Sequence, residues 1–168
     1  DDATITARNN DGPETGALTV QGLVTIDGNT AVQTGRTGQY LGQSGDITIG
    51  AGGTTGSGNL TLSAGAGFDV IVQNGGIITV NSVGGGADGD LTINNSDNFI
   101  MDPNSDIVVD GSVTIDVTQD VTLARVLLDA DGNGRPTATG PAALTVNADG
   151  NITLTGSINA NTDVDFAD

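Results

Sequence analysis

Aliphatic residues flank a threonine again and again along this chain: Leu18-Thr19-Val20, Val24-Thr25-Ile26, Ile47-Thr48-Ile49, Leu60-Thr61-Leu62, Leu91-Thr92-Ile93, Val113-Thr114-Ile115, Val121-Thr122-Leu123, Leu144-Thr145-Val146 and Ile152-Thr153-Leu154. Alternation at period two places both aliphatic side chains on one face of a strand and the threonine on the other. Each triplet therefore predicts a short strand with one wet side. Within a few positions come Gly, Asn or Asp, as in Gly50-Ala51-Gly52-Gly53 and Asn147-Ala148-Asp149-Gly150. These residue types accept positive φ or cap a turn through the side chain. No apolar period of 3.6 persists, and the chain is expected to be all-β.

The spacing of the strands carries more than their existence. Thr25, Thr48, Val70 or Ile71, Thr92 and Thr114 lie about 22 residues apart, Thr79, Ile100, Thr122 and Thr145 repeat at nearly that interval, and Thr61, Val83 and Val108 form a looser third series. Three interleaved series with one period predict a coil with three faces per turn. The expected fold is thus a parallel β-solenoid, or β-helix, of about 22 residues per rung, seven or so rungs and a rod on the order of 35 Å long. It is expected to occupy residues 1–168 as a single domain or as a segment of a longer tandem array, with loop insertions near 29–45 and 129–142. The chain also begins to repeat itself near residue 120: Asp2–Arg8 (DATITAR) is similar to Asp120–Arg125 (DVTLAR), and Thr15–Val20 (TGALTV) to Thr139–Val146 (TGPAALTV). The competing expectation is an antiparallel β-sandwich, whose hairpins would use the Asp-Gly pairs at 27–28, 88–89, 110–111, 131–132 and 149–150.

Charge narrows the partners. Twenty Asp and one Glu against four Arg and no Lys give a formal net charge of -17. Nucleic acid and anionic membranes would repel such a chain. Self-repulsion on this scale is relieved by salt or by divalent cations, which points to a saline or calcium-containing environment. Four aromatic residues, Tyr40, Phe68, Phe99 and Phe166, leave a thin core of Ile, Leu and Val as the available one. There is no Cys, and no run of about 18 apolar residues, so neither disulfides nor membrane insertion by a helix is expected. The first residue is Asp and no signal peptide is visible, as expected of a mature or excised piece.

Catalysis is poorly supplied, because without His, Cys or Lys neither an imidazole nor a thiolate can activate a nucleophile near neutral pH. No enzyme activity is expected. The sharpest local motif is Asp129-Ala130-Asp131-Gly132-Asn133-Gly134. Oxygen ligands at alternate positions with Gly at the sixth match the first half of a calcium loop, making Asp129, Asp131 and Asn133 candidate calcium ligands. The twelfth position is Gly140 rather than Glu, so the full motif fails, and an ordinary polar turn is the competing explanation. Arg36, Tyr40 and Arg135 fall in the two breaks of the pattern and are candidate contact residues, with local salt bridges the alternative for the arginines. A host-cell or surface carbohydrate is a further partner class, although Tyr40 is the only ring with a polar handle and one ring does not make a sugar-binding platform.

Gly58–Gly67 (GNLTLSAGAG), Gly89–Asn98 (GDLTINNSDN) and Asp149–Asn161 (DGNITLTGSINAN) resemble the repeat regions of filamentous-haemagglutinin-like secreted adhesins of Gram-negative bacteria, and nearly the whole chain has that texture. The resemblance implies a right-handed parallel β-helix exported through an outer-membrane partner and acting as a cell-surface fibre or stalk. Asp102-Pro103-Asn104 departs from the Asn-Pro-Asn-Gly signature of that family's secretion domain, so shaft rather than export module is implied. The functional expectation is an extracellular structural protein that associates end to end with itself or with neighbouring repeats and requires no cofactor. The alternative is a calcium-dependent surface-layer or matrix protein built of sandwich domains.

Overall fold

The computed structural model of the chain describes residues 16–20, 24–26, 30–32, 37–42, 46–51, 53–57, 59–81, 89–128, 142–160 and 164–167, with side chains described from residue 46 onward except at 54–59 and 81. Among these residues there are nineteen strands in three sheets and no helix. The first sheet contains β1 (Gly16–Val20), β4 (Thr37–Gly42), β7 (Asn59–Ser63), β10 (Leu91–Asn94), β13 (Val113–Val117), β16 (Leu144–Ala148) and β19 (Val164–Ala167) in that order. The second runs β2 (Val24–Ile26), β5 (Ile47–Ile49), β8 (Val70–Val72), β11 (Phe99–Met101), β14 (Val121–Leu123) and β17 (Ile152–Leu154). The third runs β3 (Thr30–Val32), β6 (Thr54–Ser57), β9 (Ile77–Asn81), β12 (Asp106–Val109), β15 (Arg125–Leu128) and β18 (Ile158–Asn159).

Each strand from β4 to β16 pairs with the third strand before it and the third after it, the strands at the sheet ends pair on one side, and every described pairing is parallel. The chain visits the three sheets in rotation, an architecture consistent with a β-helix or solenoid. An antiparallel sandwich requires neighbouring strands of opposite direction, and none occurs among the described pairings. The two described Asp-Gly pairs, Asp110-Gly111 and Asp149-Gly150, are corners between sheets, not hairpins. At Asp110-Gly111 the reason for glycine is closeness: a Cβ on Gly111 would lie 2.9 Å from the Gly89 carbonyl oxygen and against a carboxylate oxygen of Asp90. At Asp149-Gly150 it would lie 3.0 Å from the Gln119 carbonyl and against Asp120. Replacing Gly111 with Ala is expected to destabilise the protein by about 1–3 kcal/mol through overpacking, measurable as a lower urea midpoint at unchanged slope.

Threonine triplets sort as the alternation predicts. Both aliphatic residues are buried and the central threonine is half-exposed at Ile47–Ile49, Leu60–Leu62, Leu91–Ile93, Val113–Ile115, Val121–Leu123 and Leu144–Val146. Inward residues stack on inward residues from coil to coil. Leu60, Leu91, Val113 and Leu144 form one column, and Ile47, Val70, Phe99 and Val121 another. Thr61, Thr92, Thr114 and Thr145 form the outward file between two such columns. Parallel strands buried on one side by a shared axis gain their stability from these columns, at roughly 25 cal/mol per Å² of apolar surface removed from water.

The spacing is less even than the threonine series suggests. Register partners are 22 residues apart in β1–β4 (Gly16 opposite Gly38), β10–β13 (Leu91 opposite Val113) and β11–β14 (Phe99 opposite Val121). They are 31 apart in β7–β10 (Leu60 opposite Leu91) and β13–β16 (Val113 opposite Leu144), and 19 apart in β12–β15 (Asp106 opposite Arg125). These registers do not fix one rung size. The added residues between coils also put a constant period out of phase. Thr92 and Thr114 stack on Thr61 in the first sheet, and Ile100 and Thr122 stack on Thr48 and Ile71 in the second. Val83 lies outside the described residues. The stretch 29–45, expected as a loop insertion, carries β3 and β4, where Ala-Val and Tyr-Leu pairs supply enough apolar content for strands despite the two glycines of β4. Within 129–142 only Ala142 is described, and it is buried.

Candidate assembly surface

Of the residues singled out for chemistry, Asp129, Asp131, Asn133, Arg36 and Arg135 lie outside the described residues. Tyr40 lies in β4, in register between Leu18 of β1 and Leu62 of β7. The structure therefore brings none of these candidates together into a described site. What it does bring together are two features of the repeating coil, a file of Asx side chains along one corner and an apolar face at the last coil.

The Asx file occupies the position immediately ahead of each strand of the second sheet from β5 onward: Asp46, Asp69, Asn98, Asp120 and Asn151. Each of the first four side chains accepts from the backbone of the coil that follows. The Asp69 amide donates to Asp46 Oδ1 at 2.9 Å, the Asn98 amide to Asp69 Oδ1 at 3.1 Å, the Asp120 amide to Asn98 Oδ1 at 2.9 Å and the Asn151 amide to Asp120 Oδ1 at 2.7 Å. Backbone bonds run beside them, from the Val70 amide to the Asn98 carbonyl at 3.0 Å and from the Phe99 amide to the Asp120 carbonyl at 3.1 Å. Corners between sheets are where a coil cannot satisfy its amides with ladder bonds alone, and Asp and Asn are short enough to supply the missing acceptor. A shorter file of the same kind precedes the first sheet, with the Ser112 amide donating to Asp90 Oδ1 at 2.8 Å and the Ala143 amide to Ser112 Oγ at 3.2 Å.

Stacked carboxylates repel, and the file manages this with a neutral member. Asn98 sits between Asp69 and Asp120, its Nδ2 donating to Asp69 Oδ1 at 2.8 Å while its Oδ1 accepts from Asp120. Asn98→Asp removes that donor and adds a charge between two carboxylates. A loss of about 1–2 kcal/mol at low salt is expected, partly recovered at high salt, and thermal unfolding at two ionic strengths measures it. Asx immediately before apolar-x-apolar is visible in the sequence as DITI, DVIV, NFIM, DVTL and NITL. The pattern looks like ordinary turn capping until the coils are stacked.

One cation is described in detail. Arg125 opens β15 directly opposite Asp106 of β12, and its Nε and Nη2 donate to the two carboxylate oxygens, both at 2.8 Å. Hydrogen bonding and attraction from Asp106 raise the guanidinium pKa above its ordinary value, slightly offset by burial. The arginine side chain is 54% exposed, so solvent screening holds the pair to about 0.5 kcal/mol.

The last coil shows the apolar axis to solvent. Ile152 and Ile158 are half-buried, whereas Leu154 is 50%, Val164 42% and Phe166 40% exposed. By register these are inward positions: Val164 stacks on Leu144, Phe166 on Val146 and Leu154 on Leu123, all three partners fully buried. They are exposed because β17, β18 and β19 end their sheets, and among the described residues nothing pairs with their outer edges. A hollow of about 410 Å³ lined by Gly150, Asn151, Ile152 and Phe166 indents the same coil. Unpaired strand edges beside apolar side chains form a template for further strands. Phe166 was visible in the sequence only as one of four aromatics; its significance comes from the place of β19 in the sheet. No family model, curated protein or solved structure matches the chain.

Proposed function

We propose that the chain is a rigid β-solenoid segment of an extracellular structural protein, a bacterial surface adhesin, stalk or self-assembling filament. It works by stiffness, length and repetition, without catalysis. Its base rung is about 22 residues, lengthened at some coils and shortened at others. The observation that carries this reading is the shared direction and register of the three sheets, which repeat one cross-section and leave it open at the last coil. A cross-section that repeats can be prolonged without a new design, and that is the property a fibre needs. The resemblance of Gly58–Gly67, Gly89–Asn98 and Asp149–Asn161 to filamentous-haemagglutinin-like repeats supports the same class and an outward, cell-surface location. The net charge of -17 supports the lack of nucleic-acid or anionic-membrane partners and agrees with a salt-rich exterior.

A cross-section that continues from coil to coil supports end-to-end association, with a copy of the chain or with neighbouring repeats, and surface carbohydrate is a further partner class. A calcium ion at Asp129, Asp131 and Asn133 is a separate element of the proposal. Chelation would then lower the melting temperature, and Asp131→Asn would erase that difference. Negative-stain electron microscopy tests the structural reading. Rods of constant width that lengthen with protein concentration support it, and compact particles of one size at every concentration refute it.

A further inference from the structure

We infer that Asn74-Gly75, in the corner between β8 and β9, is a latent self-modification site where Asn74 loses ammonia to become aspartate or isoaspartate, and that Asn104 is the latch that slows this change. Among the described residues Asn74 is the only asparagine followed by glycine. A glycine there leaves the next amide nitrogen with no side chain to hinder its approach to the asparagine Cγ. Both residues are exposed, so water reaches the corner. Gly75 has a φ of +81°, and a Cβ on it would meet, among the described residues, only the Ala51 Cβ at 3.7 Å. The Asp-Gly corners differ on both counts. Gly111 and Gly150 are hemmed in by the backbone of another coil, and a carboxylate accepts a nucleophile poorly.

The step balances with water as its only co-reactant. The Gly75 amide nitrogen gives its proton to solvent and bonds to Asn74 Cγ. The Cγ–Nδ2 bond breaks, and Nδ2 takes up a proton and departs as ammonia, leaving a five-membered succinimide. Water then opens the ring. Attack at Cγ gives aspartate, whereas attack at the main-chain carbonyl of residue 74 gives isoaspartate, with the chain routed through the side chain. Nothing is oxidised or reduced.

Hydrogen bonds to the next coil hold the change back. Asn104 Nδ2 donates to Asn74 Oδ1 at 2.8 Å, and the attacking Gly75 amide donates to the Asn104 carbonyl at 3.2 Å. The Asn74 amide is also engaged, donating to Asp102 Oδ2 at 2.8 Å. Attack needs the Gly75 nitrogen freed and the Asn74 side chain turned onto it, so both bonds to Asn104 must open. The Gly75 bond is the weak one, longer than the 3.0 Å bonds of the Gly111 and Gly150 amides. Once formed, the product strains its surroundings. Val72 opposite Met101 and Ile77 opposite Asp106 pin the two ends of the corner, and isoaspartate adds a methylene to the main chain between them. Either product places a new carboxylate beside Asp102.

The folded chain is aged in warm, mildly alkaline buffer and mapped by peptide mass spectrometry, with an isoaspartate-specific methyltransferase counting the rearranged product. Product is expected at residue 74 ahead of Asn94, Asn98, Asn104, Asn147 and Asn151. Asn104→Ala, and Asn104→Asp, which keeps the shape but removes the donor, are each checked for native far-UV circular dichroism and are expected to raise the rate at residue 74 several-fold. Asn74→Gln is expected to abolish the product there. Aged parent chains are expected to lose amide protection at Asp106, whose N–H donates to the Gly76 carbonyl at 3.0 Å, while Asn74→Gln chains aged alongside keep it. If residue 74 stays unmodified in the parent and in both Asn104 variants, the site is wrong. If residue 74 reacts but no faster in either Asn104 variant, Asn104 is not a latch and the inference fails.

Discussion

Ile115→Asp is expected to abolish the cooperative folded state of the chain's central coils, whereas Thr114→Asp, one residue away on the same strand, changes stability by about 0.5–1 kcal/mol. Ile115 is fully buried, with Ile93 and Val146 as its register partners above and below. All three belong to one apolar cluster, and a carboxylate placed there finds no cation. An unpaired carboxylate in such a setting, added to the loss of a buried isoleucine, costs about 4 kcal/mol or more. That is a large fraction of the stability of a typical domain. Thr114 points outward in file with Thr92 and Thr145, where a carboxylate keeps its water. Far-UV circular dichroism during urea unfolding of the two variants and the parent checks the contrast. Similar losses in both would mean that the two faces of β13 are not distinguished as inside and outside.

Phe99→Ala is expected to destabilise the protein by about 3–5 kcal/mol. Phe99 is the bulkiest fully buried side chain among the described residues and packs in the column between Val70 and Val121. Removing its ring leaves a void that rigid neighbouring strands cannot fill, because their positions are fixed by ladders on both sides. Contacts in a coiled stack run mainly between adjacent coils, so the damage should spread as a local loosening centred on β8, β11 and β14. Amide hydrogen exchange reads this directly: Val70, Phe99 and Val121 lose protection first, and β16 keeps more of its own. Phe166→Ala serves as the comparison. With Phe166 40% exposed, its truncation should cost the isolated chain about 1 kcal/mol or less.

Much of the architecture was legible because period-two alternation is a local property. Each Ile-Thr-Ile or Leu-Thr-Leu triplet states its inner and outer face without reference to the rest of the chain, and the described triplets obey it up to the last coil. A recurring interval between triplets implied stacking with a common direction. The assignment of triplets to sheets was not legible, because it depends on how many residues each corner holds. The step from Leu60 to Leu91 is 31 residues, and one such step turns a series based on 22 into the wrong column. The breaks near 29–45 misled for a related reason: glycine-rich wording looked like loop, yet backbone ladders in parallel stacks need few side chains, and β3 and β4 formed there. Asp46, Asp69, Asn98, Asp120 and Asn151 were each readable as a turn residue, but not as one file, since their bonds cross 22 to 31 residues. The open face of Leu154, Val164 and Phe166 depends on which strands end their sheets, something no window of sequence contains.

Pairing direction can be tested with two double-cysteine variants. In the parallel ladder of β10 and β13, Thr92 faces Thr114 and Asn94 faces Asp116, a constant displacement along the chain. An antiparallel pair centred on the same Thr92–Thr114 contact would instead bring Asn94 to Ser112. A short thiol-to-thiol cross-linker is therefore applied to Asn94→Cys/Asp116→Cys and to Asn94→Cys/Ser112→Cys chains at high dilution. Rapid intramolecular linkage in the first and none in the second is the predicted result. Linkage in the second alone would mean that neighbouring strands run in opposite directions, and the coil, its axis and the filament built from it would all be contradicted.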